Sequence, residues 1–332
     1  MRASTKARLT SLLGLLAGGA ALAWILSSVG LDAVMRGVVR AGWALPAVIA
    51  VHAVQLFLSG CGWREALGVY GLGRWRILRI RWIREGVNSL FPVAQIGGQV
   101  VGVRLLVQAG LAPTLAVAGT ILDLTLEAAS QVVVILVAIA ILLLREGDRS
   151  WLVWAEAGLG ATALAVAVLF AAQRLGLLRL VETGLQHAAA RWPATMGWSM
   201  QGLHATLMRR QADRGAMLRG ALMHAASWSL GALEVWLILR ALGAEVGLGP
   251  AFVIESLAMA ARSAGFAVPG AVGVQEGGFV LACGLFGIDA ETALALSVVK
   301  RLREVTVGAA AVLAWQIQRP APMPEAVPRG DR

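Results

Sequence analysis

The sequence predicts an all-α polytopic membrane protein with about six to eight transmembrane helices in two inverted repeats with broken or re-entrant segments. The chain is 58% hydrophobic and only 14% charged, whereas soluble domains are about 25% charged. Its 332 residues suffice for about six to eight crossings of about 20 residues each. A proline-glycine motif also occurs twice within apolar sequence, which predicts interrupted helices at corresponding places.

The two copies of the motif share one pattern of residue types. Each has a cation upstream of a proline, then glycines, and a polar side chain seven residues after the proline. The cation, proline and polar residue are Arg84, Pro92 and Gln99 in the first copy, and Arg262, Pro269 and Glu276 in the second. Broken backbone at membrane depth needs protein or a water-filled cavity around its freed polar groups. The motifs therefore predict a central site between the repeats.

The first part of the chain alternates apolar spans with charged loops. The first predicted span, Leu9 to Val29, follows a basic start and is longer than the apolar core of a signal peptide, about 7 to 15 residues. The second runs from Trp43 to about Gly62. Six arginines against two glutamates at residues 64–85 place the next loop in the cytoplasm by the positive-inside rule, and the N-terminus with it.

Two further spans and a basic linker follow the first motif. The spans Leu115 to Leu144 and Trp151 to Ala172 flank a charge-balanced turn at residues 145–149, which we place outside. Seven arginines against two acids at residues 173–219 again favour the cytoplasm. They predict a cytoplasmic amphipathic linker at about 173–216.

The last part of the chain enters the membrane in the opposite orientation. Met217 to Leu242 crosses outward to a cation-free loop at 243–249, so the second motif starts outside, whereas the first starts inside. Thr292 to Ile317 returns to the cytoplasm, although charges at 300–304 interrupt it. The predicted organisation is an integral membrane domain at 1–318, with pseudo-repeats at about 43–144 and 217–317, and a disordered tail at 319–332.

One apolar span carries a stripe of polar side chains. The stripe consists of Thr120, Asp123, Glu127 and Gln131 at helical spacing. Charges at this depth cost at least ~2.5 to 3.5 kcal/mol, so a functional role is one interpretation. A fixed ion pair with Arg104 or Arg303 that only holds helices together is the other. The sequence does not decide between them.

The candidate residues for substrate binding and transport come from the motifs, the stripe and nearby charges. They are Arg84, Glu85, Asn88, Pro92, Gly97, Gly98, Gln99, Arg104, Asp123, Glu127, Glu255, Arg262, Pro269, Gly270, Gly273, Gln275, Glu276, Gly277, Arg301 and Arg303. Glycines allow close backbone approach, and helix starts after them present free N–H groups to an anionic headgroup. Arginines can hold phosphate with two hydrogen bonds. Helix packing and membrane topology are the alternative explanations.

The sequence predicts no cofactor, metal site, catalytic residue or nucleic-acid partner. The four histidines lack metal-ligand spacing, and the two cysteines have no CxxC partner. The net charge of +10 accompanies no nucleic-acid-binding motif and is explained by topology. No nucleophile–base arrangement and no phosphate-binding loop stand out. Transport energy would then come from an ion gradient, a partner or substrate mass action.

Three segments of the chain resemble a known family. They are residues 81–99, the helix at 123–127, and the stretch from Pro269-Gly270 to Gln275-Glu276-Gly277. They look like the lysylphosphatidylglycerol synthase transmembrane-domain or flippase-like family, and within it the hopanoid-biosynthesis-associated membrane proteins (HpnL type). The resemblance covers about residues 10–317. One departure is Gln99, where the family often has an acid, which puts charge coupling through that position in doubt.

The resemblance implies moving or presenting a lipid. Lysyltransferases of the family add a soluble catalytic domain, and the roughly 15 residues after the last predicted span are too few for one, so we expect no enzyme activity. The expected function is transport or flipping of an amphiphilic lipid, such as a hopanoid, related isoprenoid or phospholipid, in the bacterial inner membrane, with both termini cytoplasmic. Expected partners are the lipid and lipid-biosynthesis or export proteins. The alternatives are a non-transporting scaffold for lipid-biosynthesis enzymes and, less favoured, a lipid-modifying transferase.

Reporter fusions test the predicted topology. Fusions after residues 75 and 195 should report the cytoplasm and fusions at 147 and 246 the outside, because arginine-rich loops remain cytoplasmic. A phosphatase active outside and a fluorescent protein active inside measure the two sides. If positions 147 and 195 report the same side, the inverted arrangement is wrong.

Overall fold

A computed structural model describes residues 31–90, 97–144, 201–264 and 271–317. Within them the chain forms helices and no strands. The α-helices are α1 Leu31–Ala41, α2 Leu45–Leu67, α3 Arg74–Leu90, α4 Gly97–Gln108, α5 Pro113–Leu143, α6 Leu203–Gln211, α7 Arg214–Leu242, α8 Leu248–Ala264, α9 Val274–Gly284 and α10 Ala290–Ile317, and a 3-10 turn, Gly42–Ala44, joins α1 to α2. The predicted spans at 9–29 and 151–172, the linker up to residue 200, the tail at 319–332, Pro92, Pro269 and Gly270 lie outside the described residues.

Each of two groups of four helices has two long helices with two shorter helices between them in the chain. The first half, α2 to α5, has helices of 23, 17, 12 and 31 residues. The second half, α7 to α10, has helices of 29, 17, 11 and 28 residues. The packing is also matched, because α3 contacts α4 and α10, whereas α8 contacts α9 and α5. Each proline-glycine motif therefore separates the second and third helices of its half.

Local sequence explains where the long helices begin and end. Pro113 occupies the first turn of α5, where its missing N–H is not needed. Asp213 caps α7 by accepting a hydrogen bond from the Ala216 N–H at 3.0 Å. Gly68 and Gly243 end α2 and α7 with φ of +64° and +91°, a conformation that glycine adopts without strain.

Three helical stretches are long and apolar enough to cross a membrane. They are Met35–Leu67, Pro113–Leu143 and Arg214–Leu242, and the most apolar 18 residues of each have mean hydropathies of 1.8, 2.5 and 1.4. They coincide with three of the predicted spans. Many of their large apolar side chains are exposed, as expected of a lipid-facing surface; examples are Val54, Phe57, Val133, Leu136, Val137, Leu218 and Leu222. Helix α10 is not among them, and it carries the charged residues at 300–304.

The largest buried apolar cluster joins the two halves. It includes Val48 from α2, Ile238 from α7, Ile254 from α8, Phe279 from α9 and Leu296 from α10, each at most 1% exposed. Helices α2 and α7, the first of each half, also pack along each other. The halves thus share one core rather than forming separate domains.

A close backbone approach joins α3 to α10. A Cβ atom on Gly86 would lie 2.6 Å from the Cβ of Ala311 and 2.9 Å from the carbonyl oxygen of Gly308. The Gly308 carbonyl oxygen is a backbone atom and the Ala311 Cβ is attached directly to the backbone, so neither atom can rotate away. Gly86 is therefore required by packing, as at small-residue contacts between membrane helices.

Gly86→Ala tests this contact. Overpacking should destabilise the protein by about 1–3 kcal/mol, seen as a lower midpoint of thermal unfolding in detergent. Gly284→Ala is the matched control, because Gly284 is also helical but a Cβ there meets nothing within 4 Å. Equal midpoints for the two variants would contradict the close packing of α3 on α10.

Candidate functional site

A cavity of about 360 Å³ lies between the two halves. Helices α2, α3, α5, α7, α8 and α10 line it, together with Gln99 of α4 and Gln275 and Phe279 of α9. The lining includes five acids and five arginine or lysine side chains, so the fixed charges balance. These residues are Glu85, Glu127, Glu234, Glu255, Glu304, Arg81, Arg84, Arg262, Lys300 and Arg303.

The first ion cluster consists of Arg81 and Arg84 on α3 and Asp123 and Glu127 on α5. Asp123 Oδ2 accepts from Arg81 at 3.2 Å and from Arg84 at 2.5 Å. Glu127 accepts from the same two guanidinium groups at 2.9 and 3.4 Å. Spacings of three residues on α3 and four on α5 put each pair on one helix face, so the pairs meet. The Arg84 guanidinium also lies 5.0 Å from the Trp63 ring centroid.

The second ion cluster consists of Glu234, Glu255, Arg262, Lys300, Arg303 and Glu304. Its centre is Glu234 on α7, which accepts from Arg303 at 3.0 Å and lies 3.6 Å from the Lys300 Nζ. Lys300 also donates to Glu255 on α8 at 2.5 Å. Three helices of the second half are thereby tied together by side chains that are mostly buried.

One ion pair occurs at corresponding places in the two halves. Arg262 on α8 donates to Glu304 on α10 at 2.7 Å and to Gln275 on α9 at 3.0 Å. Arg84 and Glu127 likewise join the second and fourth helices of the first half. Both pairs combine an arginine upstream of the motif with an acid on the long last helix. The matched motifs thus position matched cations at the cavity.

Two histidines connect the halves at the cavity. His224 of the second half has its Nε2 2.9 Å from Asp123 Oδ1 of the first half. His52 of the first half has its Nδ1 2.5 Å from Arg303 Nη1 and 3.5 Å from Glu234 Oε1, both in the second half. The ion pairs of the first cluster lie within the first half and those of the second cluster within the second half, whereas both histidine contacts cross between the halves.

In the first motif, two residues predicted for the site connect the helices on either side of the break. Asn88, near the end of α3, accepts a hydrogen bond from the Gly98 N–H at 2.9 Å. A Cβ on Gly98 would clash with the Arg84 carbonyl oxygen and with Asn88, so α4 starts directly against α3. Gln99 follows, and its buried Oε1 lines the cavity without a hydrogen-bond partner within the described residues.

In the second motif, the acid caps its own helix. Gly273, with φ of +81°, donates its N–H to Glu276 Oε2 at 2.7 Å. The other oxygen of Glu276 accepts from Arg301 at 3.1 Å. Both carboxylate oxygens are therefore engaged, and Glu276 lies beside the cavity rather than in its lining. Gly277 has room for a Cβ, so no close approach requires a glycine there.

The structure brings most of the predicted site residues together. Those that line the cavity are Arg84, Glu85, Asn88, Gln99, Glu127, Glu255, Arg262, Gln275 and Arg303. Asp123 and Arg301 lie behind them and contact lining residues. Gly97 and Gly98 begin α4, and Gly273 precedes α9. Arg104 is exposed on α4 and does not line the cavity, so the polar stripe pairs with Arg81 and Arg84 rather than with Arg104.

The candidate residues from the sequence did not include several lining residues that carried a usable signal. They are His52, Arg81, His224, Glu234, Lys300 and Glu304. Arg81 is three residues before Arg84 and shares its helix face. His52, His224 and Glu234 are isolated polar side chains in apolar spans, a pattern that marks intramembrane sites. No group of His, Cys, Asp and Glu side chains suited to a metal ion occurs within the described residues.

The chain matches the family described as lysylphosphatidylglycerol synthase TM region over residues 11–311. The chain belongs to this family. No curated protein and no solved structure matches it. The match confirms the family seen in the sequence, and with the apolar helices it identifies a membrane protein related to lipid metabolism or transport.

Asp123→Asn tests the first ion cluster. It removes a carboxylate that three buried side chains contact and leaves two guanidinium groups short of a counter-charge. Loss of one partner from a buried ion pair costs roughly 3–5 kcal/mol, so the midpoint of thermal unfolding in detergent should fall. Glu127→Gln is the matched control, because Glu127 binds the same arginines but is 20% exposed, and it should cause a smaller fall. Equal shifts would contradict a central role for Asp123.

Proposed function

We propose that the protein moves an amphiphilic lipid across or out of the bacterial inner membrane by holding its polar headgroup in the charged cavity. The observation that carries this proposal is the cavity itself, lined by ten charged side chains inside a membrane protein. Ionisable groups at membrane depth are costly and mark substrate pathways. A lipid is the substrate whose polar part needs such a site while its apolar part stays in the bilayer.

The size of the cavity supports headgroup binding. Ligand pockets generally measure about 300–1,000 Å³, and this cavity is near the lower limit at about 360 Å³. It therefore accommodates a phosphate-sized headgroup, whereas the ring system or acyl chains of a lipid would lie outside. Arg262 is suited to contact the headgroup, because its side chain is 32% exposed and also holds Gln275.

We further propose that the two halves are inverted repeats within a bundle of about six to eight spans. The matched helix lengths, the matched packing and the position of the motif in each half support this arrangement. In transporters of this kind, one half rocks against the other around a central site. No part of this proposal requires catalysis, so the protein would act as a transporter and not as an enzyme.

The family and the site together favour a lipid with a small polar head. A hopanoid, which the resemblance to the HpnL-type proteins suggests, a related isoprenoid or a phospholipid would each meet this description. The guanidinium of Arg262 and the amide groups of Gln99 and Gln275 can contact a phosphate or a hydroxyl group. Lipids that co-purify with the protein, identified by native mass spectrometry, would reveal the headgroup.

The alternative is a membrane scaffold that organises lipid-biosynthesis enzymes. The observation that favours it is that the charged side chains of both ion clusters pair with one another, an arrangement that could serve helix packing alone. Lipid analysis of separated inner and outer membranes from a deletion strain distinguishes the two functions. Transport predicts normal synthesis with altered distribution, whereas a scaffold predicts reduced synthesis.

Arg262→Gln tests the headgroup site. Glu304 keeps Arg301 and Arg303 as partners at 3.5 and 3.4 Å, so the variant should fold. Movement of a fluorescent phospholipid between the leaflets of reconstituted vesicles should fall about tenfold or more, as expected when a charged hydrogen bond to the substrate is lost. Arg104→Gln is the matched control, because Arg104 is exposed outside the cavity. Equal lipid movement by both variants would contradict this site.

A further inference from the structure

We infer that the cavity binds protons together with an anionic lipid headgroup, at the two histidines that connect the halves. Movement of an anionic lipid is then coupled to a proton gradient. The inference rests on the proposed lipid movement and adds the coupling ion and the charge of the headgroup. Histidine is the side chain that changes charge near neutral pH, and both histidines line the cavity.

The first proton site is His224 on α7. Its Nε2 lies 2.9 Å from Asp123 Oδ1, and the two side chains are 1% and 0% exposed. The other oxygen of Asp123 is occupied by Arg81 and Arg84 from α3, and Glu127 completes the set of charged groups on this side. A proton added to His224 therefore places a further cation on a carboxylate that already has two.

The imidazole of His224 is held in place from a third helix. Helix α2 presents Gly62 to the ring, and a Cβ on Gly62 would lie 2.8 Å from Nε2. The ring therefore has little space on that side in which to turn away from Asp123. A proton on His224 therefore stays beside Asp123 and the two arginines that it binds.

The second proton site is His52 on α2, and its contacts depend on its protonation state. Arg303 can only donate hydrogen bonds, so His52 Nδ1, 2.5 Å away, accepts one from it when that nitrogen is unprotonated. A protonated Nδ1 must instead donate, and Glu234 Oε1 at 3.5 Å and Gln55 Oε1 at 2.9 Å are the acceptors within reach. The charged groups around this ring are Glu234 from α7 and Lys300, Arg303 and Glu304 from α10.

Charge balance links the proton to the headgroup. The first ion cluster has two bases and two acids, and the second has three of each, so both are neutral when the histidines are neutral. Arg301 and Glu276 form a further neutral pair. Glu85, the remaining lining acid, is 35% exposed and lies 3.9 Å from Arg81. With Glu85 counted, these groups include one more acid than bases, so an entering anion brings a further uncompensated charge, which is costly in a buried environment. A proton on His224 or His52 removes that cost.

The position of the histidines links binding to the movement of the halves. The arginine and lysine pairs of both clusters would remain intact if the halves separated, because their partners lie in one half. The contacts of His224 with Asp123 and of His52 with Arg303 would break. Protonation thus alters two of the polar contacts that join the halves beside the cavity.

Proteoliposomes made with the full-length protein test the inference. Phosphatidylcholine vesicles carry a trace of fluorescent phosphatidylglycerol, and an entrapped pH indicator reports proton flux. Wild-type protein should move the anionic probe faster with a pH gradient, with proton flux that requires phosphatidylglycerol. Acidification by one unit should raise apparent affinity for phosphatidylglycerol about tenfold for each proton bound with it. A fluorescent phosphatidylcholine probe, which carries its own positive charge, should show neither effect.

Histidine variants locate the protons. His224→Gln and His52→Gln should each reduce the proton flux and the pH dependence, and the double variant should lose both. His204→Gln is the matched control, because His204 lies on α6 outside the cavity, and it should behave like wild type. If a variant fails to fold, His224→Asn and His52→Asn replace it, and the wild-type gradient experiment still decides whether coupling exists.

The outcomes separate this inference from the proposed function. Lipid movement that ignores the pH gradient, or a double variant that keeps wild-type proton flux, overturns proton coupling and leaves lipid movement standing. Proton flux without movement of either lipid probe overturns lipid movement and leaves proton binding standing. The absence of both lipid movement and proton flux overturns both.

Discussion

The structure depends on one constraint, which is that a charge buried in a membrane protein must meet a counter-charge. Asp123 is fully buried and is contacted by Arg81, Arg84 and His224. Those three partners come from two helices, so a single carboxylate fixes how α3, α5 and α7 pack. Glu234 has the same effect in the second half, where it holds α10 to α7. The ion clusters thus define the cavity that lies between them.

Fixed and titratable charges have different positions in this arrangement. Arginines stay charged in proteins, so a pair of an arginine with an acid is a permanent link. The permanent links of the two clusters join helices of one half, while His224 and His52 make contacts between halves. The clusters thus hold together the helices of each half, and in the coupling that we infer the two histidine contacts are the ones that respond to protons.

Sequence reasoning predicted the family and three of the spans but not the partners of the buried acids. Three spans followed from length and apolarity alone, which are local properties. Arg104 was a plausible partner by distance along the chain, but Gly98, Gly102 and Leu106 form the buried face of α4, which turns Arg104 outward. Glu276 is an acid within an apolar segment and was therefore predicted to lie in the site, yet its side chain caps its own helix. Pairing across helices depends on helix rotation, which one sequence does not fix.

The two halves share an arrangement of helices, but charged residues of opposite sign occupy one pair of corresponding positions. Glu127 and Glu304 are 177 residues apart, as are the prolines of the two motifs, and each acid pairs with the arginine before its motif. At the same spacing Asp123 corresponds to Lys300, so one half has an acid where the other has a base. The matched scaffold therefore encloses an asymmetric site. Both ion clusters pair equal numbers of acids and bases, but different residue types stand at corresponding places, so a headgroup bound as proposed would meet different side chains in each half.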